Sequence, residues 1–146
     1  MTVPGPFASQ LVVRVNYSEV DPMGVAYHAR YIPWLDMART EHLRQSGMSY
    51  RELEARGFFL VVTDLHVRYR EPARYDDLVR VHAWPRAVES RRVTFGYLVE
   101  HAERGTRLAT AQVALVALDR DFRPARLPED VRTLLQPLPD PWPLDL

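Results

Sequence analysis

Residues 17–31, YSEVDPMGVAYHARY, decide the fold, because a strand pattern ends in this stretch and a helix pattern begins just beyond it. Before it, in the segment from Leu11 to Tyr17, Leu11, Val13 and Val15 alternate with Val12, Arg14 and Asn16, the period of a half-buried strand. From Tyr31 onward, apolar residues recur at helical spacing. Between the two patterns, Asp21–Gly24 reads Asp-Pro-Met-Gly, which is typical of a turn. We therefore predict a strand–turn–helix junction.

The junction also places an acidic side chain close to a helix start. His28 lies where the helix is predicted to begin, and the first N–H groups of a helix have no acceptor within it. An acid a few residues before such groups can assemble a carboxylate and an oxyanion-binding site. Asp21 is therefore a candidate catalytic carboxylate. The alternative is that Asp21 only starts the turn or caps the following backbone.

The remainder of the chain predicts an α+β fold. Gly47 is placed to end the first helix, and Ser49 with Glu52 forms a capping-box pattern for a short second helix that ends near Gly57. Four strand-like segments joined by short turns follow, which implies antiparallel neighbours. They lie at residues 59–69, 79–83, 93–99 and 108–118. In the first of them, one face is predicted to carry Phe59, Val61, Thr63, Leu65, Val67 and Tyr69. The 108–118 segment is apolar on both faces, as in a central strand.

We predict one domain over residues 1–146, with a loose leader at 1–9 and a proline-rich tail at 137–146. One long helix covers only part of a five-stranded sheet, so a dimer through the sheet edge or face is expected. The start of the chain has neither a basic region nor an apolar core typical of a signal peptide. No segment reaches the length of about 20 apolar residues needed to cross a bilayer. A cytoplasmic protein without membrane insertion is therefore predicted.

Composition excludes several classes of chemistry. There are no cysteines, so disulfides, thiolate metal sites and a cysteine nucleophile are excluded. All 19 basic side chains are arginine, which excludes lysine Schiff-base and P-loop chemistry. The net charge of zero gives no electrostatic support for nucleic-acid binding. The five histidines show no metal-ligand spacing, so no metal is predicted.

The chain resembles the hotdog-fold acyl-CoA thioesterases of the 4-hydroxybenzoyl-CoA thioesterase type, and most closely their YbgC-like, Tol-Pal-associated branch. The resemblance extends from about Val13 to Val131. It is strongest in the Asp-x-x-Gly-(x)3-His motif formed by Asp21, Gly24 and His28. It implies a five-stranded antiparallel sheet wrapped around one long helix. It further includes Tyr17, Val25, Tyr27, Tyr31, Ala38-Arg39-Thr40-Glu41, Tyr69, Pro72-Ala73-Arg74, Asp77, Phe95, the Asp119 region and Leu127-Pro128.

The resemblance implies hydrolysis of a small or medium acyl-CoA to a free acid and CoA, without a cofactor other than the substrate's own CoA. Asp21 would attack the thioester carbonyl or activate a water; both routes are open. The backbone N–H of His28 would stabilise the oxyanion, while its side chain has either a positioning or a capping role. Glu41, a second helix carboxylate, lies ten residues after Tyr31 and is interpreted as structural.

The remaining candidate residues would bind substrate. Tyr17 and Tyr27 are predicted pocket walls, Gly24 a turn or close-approach residue, and Thr63 either an acyl contact or a core residue. Phosphates of CoA need cations. The candidates are Arg91, Arg92 and Arg126, with Arg68, Arg70 and Arg74 as further possibilities.

The expected partners are an acyl-CoA and further copies of the chain, as a homodimer or homotetramer; an acyl carrier protein is a further candidate. The active site would lie at the subunit interface. A non-catalytic module that binds acyl-CoA or acyl carrier protein is the alternative function. A hotdog dehydratase is a second alternative, although the motif of that family is absent.

Overall fold

The computed structural model describes residues 5–146. Its five strands are β1 (Ser9–Arg14), β2 (Phe59–Tyr69), β3 (Leu78–Val88), β4 (Arg92–His101) and β5 (Arg107–Leu118), and its α-helices are α1 (Tyr31–Ser46), α2 (Tyr50–Ala55) and α3 (Glu129–Leu134). All strand pairs are antiparallel, in the order β1-β3-β4-β5-β2. The predicted α+β class and five-stranded antiparallel sheet are confirmed.

Helix α1 lies against one face of this sheet. Trp34, Leu35 and Ala38 are buried in one cluster with inward-facing residues of the strands, such as Val81 and Phe95. This burial supplies most of the stability of a helix, since apolar area removed from water contributes about 25 cal/mol per Å². The fold is therefore organised around α1, in agreement with the hotdog resemblance.

Both predicted helix-end signals are present. Gly47 follows α1 with φ of 114°, a left-handed conformation that favours glycine. At the start of α2, the hydroxyl of the N-cap residue Ser49 accepts the N–H of Glu52 at 3.1 Å. These caps explain why the chain can stop one helix and begin the next within a few residues.

Several elements differ from the sequence prediction. β3 (Leu78–Val88) continues past Ala83 and through Pro85, which pairs with Phe95, instead of ending there. β1 begins at Ser9, inside the predicted leader, and ends at Arg14 instead of Tyr17. It ends early because Asn16 and Glu19 form a capping box that starts a 3-10 helix at Tyr17. The helix α3 was not predicted; it follows Pro128 and is only six residues long. Residues 1–4 of the predicted leader lie outside the described residues.

The predicted single face of β2 is wrong, because the strand contains a bulge at Thr63. Val62 pairs with Leu115 and Asp64 with Ala114, which leaves Thr63 without a partner residue. A bulge shifts the alternation of side chains by one position. The helix-facing row therefore runs through Leu60 and Val62 and continues through Leu65, Val67 and Tyr69. Phe59 and Val61 lie instead in the outward-facing row with Asp64, His66 and Arg68.

The proline-rich tail, residues 137–146, contains no helix or strand and covers part of the outer sheet face. The carboxylate of Asp140 accepts hydrogen bonds from the indole of Trp84 at 3.0 Å and from two guanidinium nitrogens of Arg86 at 2.9 and 2.7 Å. The ring of Trp142 packs against His82 and Trp84, at centroid distances of 4.5 and 5.6 Å. The tail thus has a defined course across β3.

A buried histidine joins α1 to β1. Nδ1 of His42 lies 2.9 Å from the hydroxyl of Ser9, which donates to the carbonyl oxygen of Ala83 at 3.1 Å. The imidazole also stacks on Phe7 at 4.4 Å and contacts the edge of Phe95 at 5.6 Å. Burial lowers the pKa of His42 to about 4, and the carbonyl of Ala83 opposes this effect only partly. The ring is therefore neutral at neutral pH.

We expect this histidine to make the fold sensitive to acid. His42 is protonated near pH 6.5 in the unfolded chain and only near pH 4 in the folded chain. The contribution of neutral His42 to the free energy of unfolding is therefore complete above pH 6.5 and is lost as the pH falls to 4. The loss amounts to about 3 kcal/mol. The free energy of unfolding is measured with urea at pH 7, 5.5 and 4.5. The His42→Leu protein should lack this part of its pH dependence. His66→Gln, at an exposed position, should keep it; equal pH profiles for wild type and His42→Leu would contradict the prediction.

Candidate active site

The junction at residues 17–28 is a closed loop between β1 and α1. After the 3-10 helix Tyr17–Glu19, the chain reverses and Val20 pairs with Ala26 in an isolated bridge. Gly24 has φ of 80°, and its N–H donates to the carbonyl oxygen of Asp21 at 2.9 Å. The turn thus requires the left-handed conformation that Gly24 supplies.

Asp21 has a structural role in this turn. Its Oδ1 accepts the N–H of Met23 at 2.9 Å, the capping contact that one interpretation of the motif predicts. Within residues 5–146, Oδ2 accepts no hydrogen bond, and the side chain is half-buried. One carboxylate oxygen is therefore held by the backbone while the other has a free lone-pair surface.

His28 begins the helical segment, as predicted. It is the first residue of the 3-10 helix His28–Arg30, which continues into α1 at Tyr31. Its N–H consequently has no acceptor within the helix and lies at the positive end of the helix dipole. The carbonyl oxygen of His28 accepts the hydroxyl of Tyr69 at 2.6 Å. This bond joins the helix start to the end of β2.

A pocket of about 210 Å³ lies beside His28. Tyr31 and Tyr69 form its aromatic wall, with ring centroids 5.1 Å apart and nearly perpendicular planes. The hydroxyl of Tyr31 accepts the N–H of Ala73 at 3.1 Å, which fixes the ring. The complete lining is Ala26, His28, Tyr31, Tyr69, Arg70, Glu71 and Pro72. The wall of the pocket is thus mainly aromatic, and the segment Arg70–Pro72 forms its border.

The pocket tyrosines are not bases at neutral pH. Burial raises the pKa of Tyr31, an effect that the N–H of Ala73 partly offsets. Burial likewise raises the pKa of Tyr69, and neighbouring Tyr31 adds to it. Both phenols therefore stay protonated and act as walls and hydrogen-bond donors or acceptors. A general base in this region has to come from another group, such as a carboxylate.

Three residues of this region, Glu19, Tyr31 and Tyr69, were not predicted from the sequence to take part in the site. The carboxylate of Glu19 accepts the indole N–H of Trp34 at 2.9 Å and the N–H of Asn16 at 2.9 Å, so it ties the loop to α1. The Asn16-x-x-Glu19 capping box is a signal that identifies this residue. No local spacing indicates that Tyr31 and Tyr69 meet, because they belong to different elements.

Several predicted substrate contacts lie outside this pocket. Tyr17 is 77% exposed and packs edge-to-face on Tyr75 at 5.5 Å. Tyr27 is exposed and tilted against His28 at 4.4 Å. Thr63 is exposed at the bulge of β2, so its interpretation as a core residue is wrong; its hydroxyl donates to Asp64 at 2.9 Å.

The predicted phosphate-binding arginines gather at the opposite end of the sheet. Arg91 precedes β4, and Arg92 is its first residue. The segment that contains Arg126 lies next to them, because the N–H of Leu127 donates to the carbonyl oxygen of Ser90 at 2.8 Å. The guanidinium of Arg92 lies 3.2 Å from the carboxylate of Asp64, in the outward-facing row of β2. The pocket lies beside Tyr69 on the helix-facing side, five residues and about 17 Å further along the strand. Within one protomer these arginines therefore do not reach the pocket.

Two further observations concern residues 5–146. Among their helices, none combines the length and apolarity that a bilayer crossing requires. The same residues contain no cluster of three or more His, Asp or Glu side chains arranged to hold a metal ion.

Comparisons with known proteins identify the family. The model of the thioesterase-like superfamily matches residues 15–135. The acyl-CoA thioester hydrolase YbgC of Escherichia coli O6:H1 is 34% identical over 120 residues, 82% of this chain and 89% of that protein. The crystal structure of a DHNA-CoA thioesterase from Staphylococcus aureus is similar with a TM-score of 0.79 and 32% identity, over 82% of this chain and 80% of that one. The TT1821 protein of Thermus thermophilus gives a TM-score of 0.83 and 35% identity, over 88% of this chain and 95% of that one. The hotdog resemblance of the sequence is thereby confirmed, and this chain belongs to the thioesterase-like superfamily.

Proposed function

We propose that this protein is an acyl-CoA thioesterase that hydrolyses small or medium acyl-CoA to a free acid and CoA. The observation that carries the proposal is the junction of Asp21 and His28: a carboxylate with one free oxygen precedes the first N–H of the central helix in the same loop. His28 lines the aromatic pocket, whereas Asp21 is not among its lining residues. The family membership and the YbgC relative support the choice of a thioester as the bond that is cleaved. No resident cofactor is needed, since CoA leaves as a product.

Asp21 would act by one of two routes. As a general base, its carboxylate takes a proton from water while the water oxygen bonds to the thioester carbon; the C–S bond then breaks and the thiolate is protonated. As a nucleophile, it bonds to that carbon itself, expels the thiolate and forms an anhydride, which water then hydrolyses. In both routes negative charge develops on the carbonyl oxygen. The N–H of His28 is the proposed donor to it, worth about 3 kcal/mol in the transition state.

We further propose that the active protein is an oligomer built on a dimer through the free edge of β2. Val62, Leu65 and Tyr69 are each about 40% exposed on this edge strand, which leaves apolar surface and unpaired backbone groups. Antiparallel pairing with a second copy would place the start of one β2 beside the end of the other. Arg91 and Arg92 of one protomer would then approach the pocket of its partner, where CoA phosphates need cations.

The test is direct. The purified protein is given acetyl-, butyryl-, hexanoyl- and benzoyl-CoA, together with an acyl carrier protein loaded with butyrate, and released thiol is measured. We expect turnover with at least one CoA ester. A rise in melting temperature with the CoA esters, without thiol release, would instead indicate the non-catalytic binding module.

A further inference from the structure

The first turn of the central helix, His28–Arg30, has no capping side chain. Tyr27 stands at the N-cap position of this 3-10 turn and Arg30 at that of α1, and neither makes a side-chain capping bond. No residue of the turn is buried. Most helices are stabilised at this end by a Ser, Thr, Asp or Asn side chain, and a 3-10 turn has poorer hydrogen-bond geometry than an α-helix. The turn that carries the proposed oxyanion donor therefore needs another support.

A hydrogen bond from β2 supplies that support. The hydroxyl of Tyr69 donates to the carbonyl oxygen of His28 at 2.6 Å. Among residues 5–146, no other side chain is hydrogen-bonded to the backbone of the turn. The two residues are 41 positions apart, so the bond ties the turn to the sheet. Because it uses a carbonyl group, it holds the turn without bringing an acceptor side chain to the free N–H groups.

The bond restricts the direction of the His28 N–H. This N–H shares a planar peptide group with the carbonyl of Tyr27, whose oxygen accepts the N–H of Arg30 at 2.8 Å. The peptide group on the other side of the His28 α-carbon is held by Tyr69. With both planes fixed, the backbone dihedral angles of His28 are fixed as well, and its N–H keeps one direction. A donor oriented before the reaction is an effective one for an oxyanion.

Tyr69 is itself held in place. Its backbone pairs with Ala109 of β5, and the N–H groups of the next two residues both donate to the carbonyl oxygen of Leu108, at 2.8 and 3.3 Å. Its ring stands edge-on to Tyr31, with centroids 5.1 Å apart. Burial raises the pKa of the phenol, so the hydroxyl keeps its proton and donates at neutral pH. The end of β2 is thus a fixed support for the helix start.

We propose that Tyr69 is a positioning residue for thioester hydrolysis: its hydroxyl holds the backbone of His28 so that the His28 N–H meets the developing oxyanion. The inference rests on the proposed thioesterase function and adds to it a residue from a different element. Tyr69 acts through His28 and transfers no proton. The uncapped turn fits the same function, because a capping oxygen beside the free N–H groups would repel the negative charge that develops there.

The kinetic test is Tyr69→Phe, which removes the hydroxyl and keeps the ring. It should lower kcat for butyryl- and benzoyl-CoA at least fivefold and leave KM within twofold, because an oriented oxyanion donor acts on the transition state. The control is Tyr50→Phe, whose hydroxyl lies outside the pocket and accepts the N–H of Leu60 at 3.0 Å. It removes a structural hydrogen bond, so it should lower the melting temperature and keep kcat and KM.

Two further readouts report on the backbone and do not depend on turnover. The first is hydrogen exchange at the amide of Arg30, which closes the turn by its bond to Tyr27. Exchange should be about threefold faster or more in Tyr69→Phe and unchanged in Tyr50→Phe. The second is the carbonyl ¹³C signal of His28 in protein labelled with carbonyl-¹³C histidine and ¹⁵N alanine. His-Ala occurs three times, at residues 28–29, 82–83 and 101–102. Only the first of these signals should shift in Tyr69→Phe.

Three outcomes with normal turnover of the intact protein would overturn the inference alone. One is a wild-type kcat in Tyr69→Phe. Another is a raised KM without a loss of kcat, which would indicate a direct contact with bound substrate. The third is a loss of kcat with unchanged Arg30 exchange and an unchanged His28 signal, because Tyr69 would then act by another route. An intact protein that releases no thiol from any ester contradicts the proposed function and the inference together.

Discussion

Asp21→Asn is expected to lower kcat for acyl-CoA hydrolysis at least 100-fold, the size of effect that removal of a general base or nucleophile produces. The fold should be retained. Asn has the same shape and keeps an oxygen that can accept the N–H of Met23, the bond that Oδ1 of Asp21 makes in the turn. Thiol release from butyryl- and benzoyl-CoA and the melting temperature are measured side by side. A large loss of kcat with an unchanged melting temperature would separate the chemical role of Asp21 from its turn-capping role.

The matched control is Asp121→Asn, at an exposed aspartate in the loop after β5. It should retain wild-type kcat and KM. Equal rates for wild type and Asp21→Asn, above the rate of spontaneous hydrolysis, would remove Asp21 from the mechanism. A single turnover in ¹⁸O-labelled water then distinguishes the two routes. In the nucleophilic route, water that attacks the aspartyl carbon of the anhydride leaves the label in the Asp21 carboxylate, so label found there establishes this route. The general-base route labels the released acid alone.

Leu65→Lys is expected to convert the proposed oligomer into monomers and to lower kcat/KM at least tenfold. Leu65 is 40% exposed on the edge strand β2, so a lysine there costs the isolated protomer little. In a dimer through this edge, the ammonium group would be buried without a partner, which is strongly unfavourable. Activity should fall together with the molecular mass, because in the proposed dimer Arg91 and Arg92 approach a pocket only across the interface. Light scattering and thiol release measure the two effects.

Val12→Lys is the matched control, because Val12 is 49% exposed on β1, the strand at the opposite edge of the sheet. We expect this variant to keep the wild-type mass and rate. A Leu65→Lys protein of unchanged mass would contradict the β2 interface. A monomer with full activity would support the interface but contradict the contribution of the partner to the site.

The sequence predicted the fold well where the signals are local. Strand alternation, the helical period from Tyr31 and the caps at Gly47 and Ser49 each depend on residues a few positions apart, and all of these elements are present. The errors are also local in origin. A bulge at Thr63 inverts half of β2, because one extra residue shifts a period of two. Helix α3 is too short for a periodic pattern to identify it.

For the candidate site, the sequence by itself determined the motif of Asp21, Gly24 and His28, because its turn and helix start form within one continuous segment. Only the tertiary structure decided what surrounds that motif. Tyr31 and Tyr69 form one wall because α1 lies across the end of β2, and the hydroxyl of Tyr69 meets the carbonyl oxygen of His28 for the same reason. These pairs are 38 and 41 residues apart in the chain. Such contacts arise from the way the whole apolar core packs, and that packing energy is shared among too many residues to be read from any one stretch.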